Sequence, residues 1–222
     1  MAGTTSNRFE TLGEILEQLG DIDPARVRAT PPPGRATEKD LIRLLDHSGR
    51  LYELVDGVLV EKVTGFPESA LACDLIHILG TFVEEHDLGF LAGPDGAMRL
   101  MPGLVRLPDI SFISWKQLPS KERPTDAIAD LAPVLAIEVL SEGNTRKEIQ
   151  RKLREYFLSG VQIVWLVDPK TRTVRVCTAP DELHTLTERD AIDGGEVLPG
   201  LNLPIRKVFA GLPAVRKTRR KK

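Results

Sequence analysis

Two carboxylates interrupt stretches that are otherwise apolar. Asp109 lies in Leu107-Pro108-Asp109-Ile110-Ser111-Phe112-Ile113, and Glu138 lies in Val134-Leu135-Ala136-Ile137-Glu138-Val139-Leu140. An ionised carboxylate inside a packed sheet is costly unless a cation pairs with it, so two of them in apolar strands point to a cation site. A basic segment follows the second acid, Thr145 through Phe157, and carries Arg146, Lys147, Arg151, Lys152 and Arg154. Acid, acid, then lysine is an order that suits metal-assisted phosphodiester chemistry.

The basic segment reads as a helix. Thr145 with Glu148 matches a capping box and Gly160 supplies the stop. At about 100° per residue, Ile149, Leu153, Tyr156 and Phe157 form one apolar arc, whereas Arg151, Arg154 and Glu155 face away. Lys152 flanks the arc one turn before Tyr156. Its stem can lie along the core with the amine reaching the end of a neighbouring strand, and the same spacing fits a lysine snorkelling to the surface. Gln150 reads as solvent-facing.

The elements that must position these groups follow from periodicity and turn signals. Phe9 to Leu19 has helical spacing at Leu12, Ile15, Leu16 and Leu19; Pro31-Pro32-Pro33-Gly34 breaks the chain, and Thr37-Glu38-Lys39-Asp40 opens a second helix. Residues 1–50 form an N-terminal helical extension in this reading, 51–213 the main domain and 214–222 a basic tail. Tyr52 to Glu61 is a hairpin turning at Asp56-Gly57, and Ser69 through Glu85 is a helix with Glu68 at its N-terminal edge. Strands are expected near Phe90-Leu91, at Ala97 to Leu100, as one run from Leu104 to Ile113, and at Val134 to Leu140. Val161 to Asp168 is apolar on both faces, as a covered central strand is, and Arg172 to Cys177 is its hairpin partner. Helix, strands, then basic helix make an α/β fold with a mixed sheet.

Composition removes several classes. Cys73 and Cys177 are the two cysteines, far apart and without metal-ligand spacing, which suits packed thiols in a reducing cytoplasm rather than a disulfide framework. The N-terminus lacks the apolar region of a signal peptide, and no apolar run reads as membrane-spanning. The formal net charge is −2, but the last seven residues carry six basic side chains. That leaves 24 basic against 32 acidic residues, or −8, in the remainder. The tail is permissive of nucleic acid without requiring it. His47, His77, His86 and His184 show no zinc spacing; there is no nucleophile-elbow serine and no glycine-rich phosphate loop. Trp115 and Trp165 suit core or edge positions better than base stacking.

Four motifs in order carry a resemblance: Leu107 to Ser114 with its Pro-Asp, Ala136-Ile137-Glu138-Val139-Leu140-Ser141, Arg151-Lys152-Leu153-Arg154-Glu155-Tyr156, and Gly160 to Pro169. Together with the hairpin at Tyr52-Glu53-Leu54-Val55-Asp56-Gly57, they resemble the Uma-two restriction-endonuclease family of the PD-(D/E)xK nuclease superfamily, over about Tyr52 to Val176. The resemblance implies a restriction-endonuclease-like α/β/α sandwich with a central mixed sheet. Asp109 takes the place of the Pro-Asp acid and Glu138 that of the second. The chain departs from the superfamily pattern two residues after Glu138, where Leu140 stands in place of lysine. In the family that function migrates to the following helix, which selects Lys152. Glu68 is similar to an additional metal-binding acid of some superfamily members, and also suits a first-turn glutamate favoured by the helix dipole.

What the resemblance implies chemically is hydrolysis of nucleic-acid phosphodiesters, DNA foremost, assisted by Mg²⁺ or Mn²⁺ held by Asp109, Glu138 and the backbone carbonyl of Val139. Lys152 would orient water or offset charge on the phosphate. Cutting two strands suits a homodimer. The alternative is a module on the same fold that binds nucleic acid or protein without turnover.

Overall fold

The computed structural model describes residues 11–63, 65–118 and 120–213; the basic tail at 214–222 lies outside them, as do Phe9 and Glu10 of the expected first helix. Helix α1 (Leu12–Gln18) opens on a capping box in which Thr11 and Glu14 each bond the other's amide. In α2 (Glu38–His47) Asp40 likewise accepts from the Thr37 amide at 2.9 Å. Asp56 and Gly57 both have positive φ, 50° and 75°, as a two-residue hairpin turn needs, and join β1 (Tyr52–Val55) to β2 (Val58–Glu61).

Helix α3 (Phe66–Glu85) starts earlier than its spacing predicts, with Pro67 in the first turn, where a missing N–H costs nothing. By length and composition this helix is apolar enough to cross a membrane, a property the reading of apolar runs overlooks. Its Leu71, Ala72, Leu75, Leu79 and Val83 are buried against a sheet.

The strands that follow are β3 (Gly89–Ala92), β4 (Met98–Met101), β5 (Leu104–Arg106), β6 (Ile110–Ser114) and β7 (Leu135–Val139). Helix α4 (Arg146–Leu158) leads to β8 (Ile163–Asp168), β9 (Thr173–Ala179), β10 (Glu182–Leu186), β11 (Ala191–Asp193), β12 (Asn202–Pro204) and α5 (Ile205–Val208). In α5, Ile205 and Val208 are buried. The expected single strand from Leu104 to Ile113 is two strands in two sheets. Pro108, which lacks an N–H for a ladder, stands at the break.

The main sheet has the order β10-β9-β8-β7-β6-β3 and is mixed: β7 and β8 are parallel, joined through α4, and the other pairs are antiparallel. One face packs on α3 and α5. The other packs on α4, α1 and a four-stranded sheet ordered β2-β1-β5-β4. α2 covers the far side of that smaller sheet, where Leu41 meets Tyr52, Leu54, Leu59 and Val105. Layers of helix, sheet and helix result, and α1 and α2 contribute to two of the cores.

Candidate active site

Side-chain alternation in the main sheet decides where the two acids point. Ile110 pairs with Ile137 and Ser111 with Ala136, so one step further brings Asp109 alongside Glu138. Ile110, Phe112, Ile137 and Val139 fill the core under α3. Asp109 and Glu138, out of phase with them, face α4 and the smaller sheet. Asp109 Oδ2 accepts from the Val139 amide at 2.7 Å, which fixes the carboxylate beside the second acid. Both residues are about one-twentieth exposed.

Helix α4 brings the expected lysine to them. Lys152 Nζ lies 3.1 Å from each Glu138 carboxylate oxygen, and the Tyr156 hydroxyl, one turn on, donates to Glu138 Oε1. Lys152 is buried, not snorkelling to the surface. Its ammonium also lies 3.3 Å from Glu53 Oε1, on β1. Glu53 in turn accepts from Arg106 Nη1 at 2.6 Å and from the Leu107 amide at 3.2 Å. Arg106 Nε reaches Glu155 Oε2 at 2.9 Å. Glu155 and Arg151 therefore do not both face away: Glu155 is buried, and Arg151 bonds it at 2.6 Å and Asp56 at 2.6 Å. The apolar arc marks only the most apolar part of a wider buried face, whose edges carry paired charges.

The start of α4 departs from the expected capping box. Thr145 Oγ1 accepts from the Glu148 amide at 3.0 Å, but the Glu148 carboxylate turns to Arg26, at 2.7 and 3.0 Å, in a buried two-point pair. That bond ties the segment after α1 to the helix carrying Lys152.

A residue that sequence reasoning missed completes the cluster. Lys62, just after β2, places Nζ 2.8 Å from Asp109 Oδ1, 2.6 Å from the Leu107 carbonyl and 3.2 Å from the Pro94 carbonyl. Nothing in its local pattern marks it. Glu53 was findable, because every residue of Tyr52 to Val55 is buried and an acid in such a strand is the same signal that singles out Asp109 and Glu138.

The electrostatics follow from burial and pairing. Burial drives the Glu53 carboxyl upward, but Lys152, Arg106 and Lys62 overcome it and hold it at about 2. For Glu138 burial prevails over Lys152, and its carboxyl is raised. Burial pulls the Lys152 ammonium down, yet Glu138 and Glu53 win and raise it, so it stays charged. Such an ammonium fixes and neutralises carboxylates; it is no proton acceptor.

Glu68 stands outside this bonded network. It is half-buried in the first turn of α3 and lines a cleft of about 870 Å³ over the ends of β7 and β8, with Arg146, Lys170, Arg172 and Arg175. Gln150, also on that cleft, bonds Pro180 and Asp181 at 3.0 and 2.8 Å and is not simply solvent-facing. Cys73 is exposed, contrary to two packed thiols, whereas Cys177 is buried, which pushes its thiol up to about 11. Trp165 is buried in β8.

Among the described residues no three acid, histidine or cysteine side chains form a ready-made metal cluster. An ion beside Asp109 and Glu138 would thus rely on two carboxylates with backbone and water oxygens. That all-oxygen set, in a place that already attracts two ammonium groups, fits Mg²⁺ or Mn²⁺.

Known proteins give a consistent picture. The Uma2 family model, described as "Putative restriction endonuclease", matches residues 38–206. The crystal structure of "a putative nuclease belonging to DUF820" from Anabaena variabilis ATCC 29413 is similar to this fold. Its TM-score is 0.63 at 21% identity, covering 75% of this chain and 97% of that one. No curated protein gives a significant match.

Proposed function

Because the chain belongs to the Uma2 family of restriction-endonuclease-like proteins, we propose that it is a divalent-metal-dependent endonuclease that hydrolyses DNA phosphodiester bonds. The observation that carries this reading is the convergence of Asp109 and Glu138 from adjoining strands onto one face, with the Lys152 ammonium on Glu138. Asp109, Glu138 and the Val139 carbonyl would hold Mg²⁺ or Mn²⁺. A bound ion of this kind polarises a phosphate and lowers the pKa of water. Lys152 keeps Glu138 oriented and brings fixed positive charge to the side where a phosphate gathers negative charge. Tyr156 fixes the same carboxylate from α4. A homodimer would supply two such sites for a duplex.

The test uses single-stranded, duplex and branched DNA and RNA, with Mg²⁺, Mn²⁺ or chelator. Cleavage that needs metal, prefers DNA and disappears in Glu138→Ala supports the enzyme. Full magnesium-dependent activity in Asp109→Ala would overturn the assignment.

One observation favours a second reading, a binding module without turnover. Asp109 and Glu138 are both buried and both already paired with an ammonium. Retention of DNA by the protein, with no cleavage under any metal, is the result that selects it.

A further inference from the structure

Lys62 is the least expected member of the cluster, and the oxygens that satisfy it are also of the kind that bind a hard metal ion. An ammonium has three N–H donors, and here three oxygens converge on it: Asp109 Oδ1 at 2.8 Å, the Leu107 carbonyl at 2.6 Å and the Pro94 carbonyl at 3.2 Å. The side chain is 6% exposed. One carboxylate and two backbone carbonyls are the hard oxygen donors that Mg²⁺ and Mn²⁺ select. They come from separate parts of the chain, the turn before β4 and the Leu107-Pro108-Asp109 crossing between sheets, so the cage is built by tertiary structure.

Local charge points the same way. The acids Glu53, Asp56, Asp109, Glu138 and Glu155 are met by Lys62, Lys152, Arg106 and Arg151. Five negative groups face four positive ones. Adding a divalent cation to this nearly balanced cluster leaves an excess of positive charge at low dielectric unless an ammonium leaves. Lys152 is held by two carboxylates and sits under α4. Lys62 contacts a single carboxylate, that of Asp109, and follows directly on a hairpin strand, so it is the group that can leave.

We propose that the cage of Asp109 Oδ1, Leu107 O and Pro94 O is a divalent-cation site and that Lys62 is its built-in competitor, which the ion must displace. The proposal rests on the metal reading given above and adds to it two carbonyl ligands and a displaceable cation. Lys62 covers the Asp109 carboxylate when no metal is bound, and the affinity for metal is set by the hairpin lysine as well as by the acids.

The experiment measures Mn²⁺ binding by electron paramagnetic resonance of the free ion and by calorimetry, with no substrate present, on the wild-type chain and on Lys62→Met. Lys62→Met is expected to bind Mn²⁺ at least tenfold tighter and to gain more thermal stability from it. Equal or weaker binding by a folded Lys62→Met overturns the competitor role while leaving the metal reading intact. Binding by neither protein overturns both. Should Lys62→Met fail to fold, amine acetylation of the wild-type chain read by mass spectrometry decides the matter. Lys62 is expected to be protected without metal and modified several-fold more at saturating Mn²⁺, with Lys152 unchanged. Unaltered Lys62 labelling at saturation overturns the proposal.

Discussion

Glu53 Oε1 and Lys152 Nζ lie 3.3 Å apart, and this contact joins a strand of the four-stranded sheet to the helix packed on the main sheet. Burial opposes ionisation of Glu53, but Lys152, Arg106 and Lys62 depress its carboxyl from 4.5 to about 2. A depressed folded-state value means that ionised Glu53 stabilises the fold fully above about 4.5, and that this contribution is lost as pH falls toward about 2. Urea unfolding between about pH 5 and pH 3 is therefore expected to show a steeper loss of stability in the wild-type chain than in Glu53→Gln. Identical pH slopes would contradict the charge network.

Lys152 neutralises two buried carboxylates at once. Replacing it with methionine leaves Glu138 and Glu53 short of their counter-ion, and breaking buried pairs of this kind costs about 3–5 kcal/mol. Equilibrium denaturation of Lys152→Met should show a loss of that size. A loss below about 1 kcal/mol would place the ammonium in solvent instead.

Tyr156 is fully buried, and its hydroxyl donates to an acid. Tyr156→Phe keeps the ring and removes the bond. A hydrogen bond to a charged group contributes about 1.5–3 kcal/mol, and urea midpoints should fall accordingly with an unchanged slope.

Gly20 sits where the chain after α1 touches the start of α4. It has φ +90°, and a Cβ there would meet the Glu148 amide nitrogen at 2.5 Å. Gly20→Ala is expected to lift this segment and loosen the Arg26–Glu148 pair, at a cost of more than about 1 kcal/mol. A melting temperature equal to that of the wild-type chain would show that the contact yields freely.

The proposed cleavage reaction offers a complementary check on the two acids. Asp109→Asn and Glu138→Gln preserve size and remove charge, and each should lower the proposed metal-dependent cleavage by about a hundredfold to a thousandfold with circular dichroism unchanged. Activity within twofold of wild type in either variant would exclude that acid from the reaction.

Much of this arrangement is legible in the chain itself. Periodicity identifies α3 and α4, the Asp56-Gly57 pair locates the first hairpin, and acids in apolar strands single out Asp109 and Glu138. What escapes is non-local. Lys62 has no distinctive neighbours in sequence, and its three oxygen partners come from two distant segments. Glu155 looks solvated on a helical wheel because the wheel omits Arg106, which arrives from another sheet. The run from Leu104 to Ile113 is apolar apart from Arg106, Asp109 and Ser111, so hydropathy joins what Pro108 divides.

That division at Pro108 makes the acidic centre a seam. Arg106 belongs to one sheet and Asp109 leads into the other, so the charges they anchor meet only when the sheets are correctly aligned. The pair of Lys62 and Asp109 crosses that seam, so the charged centre also fastens one sheet to the other.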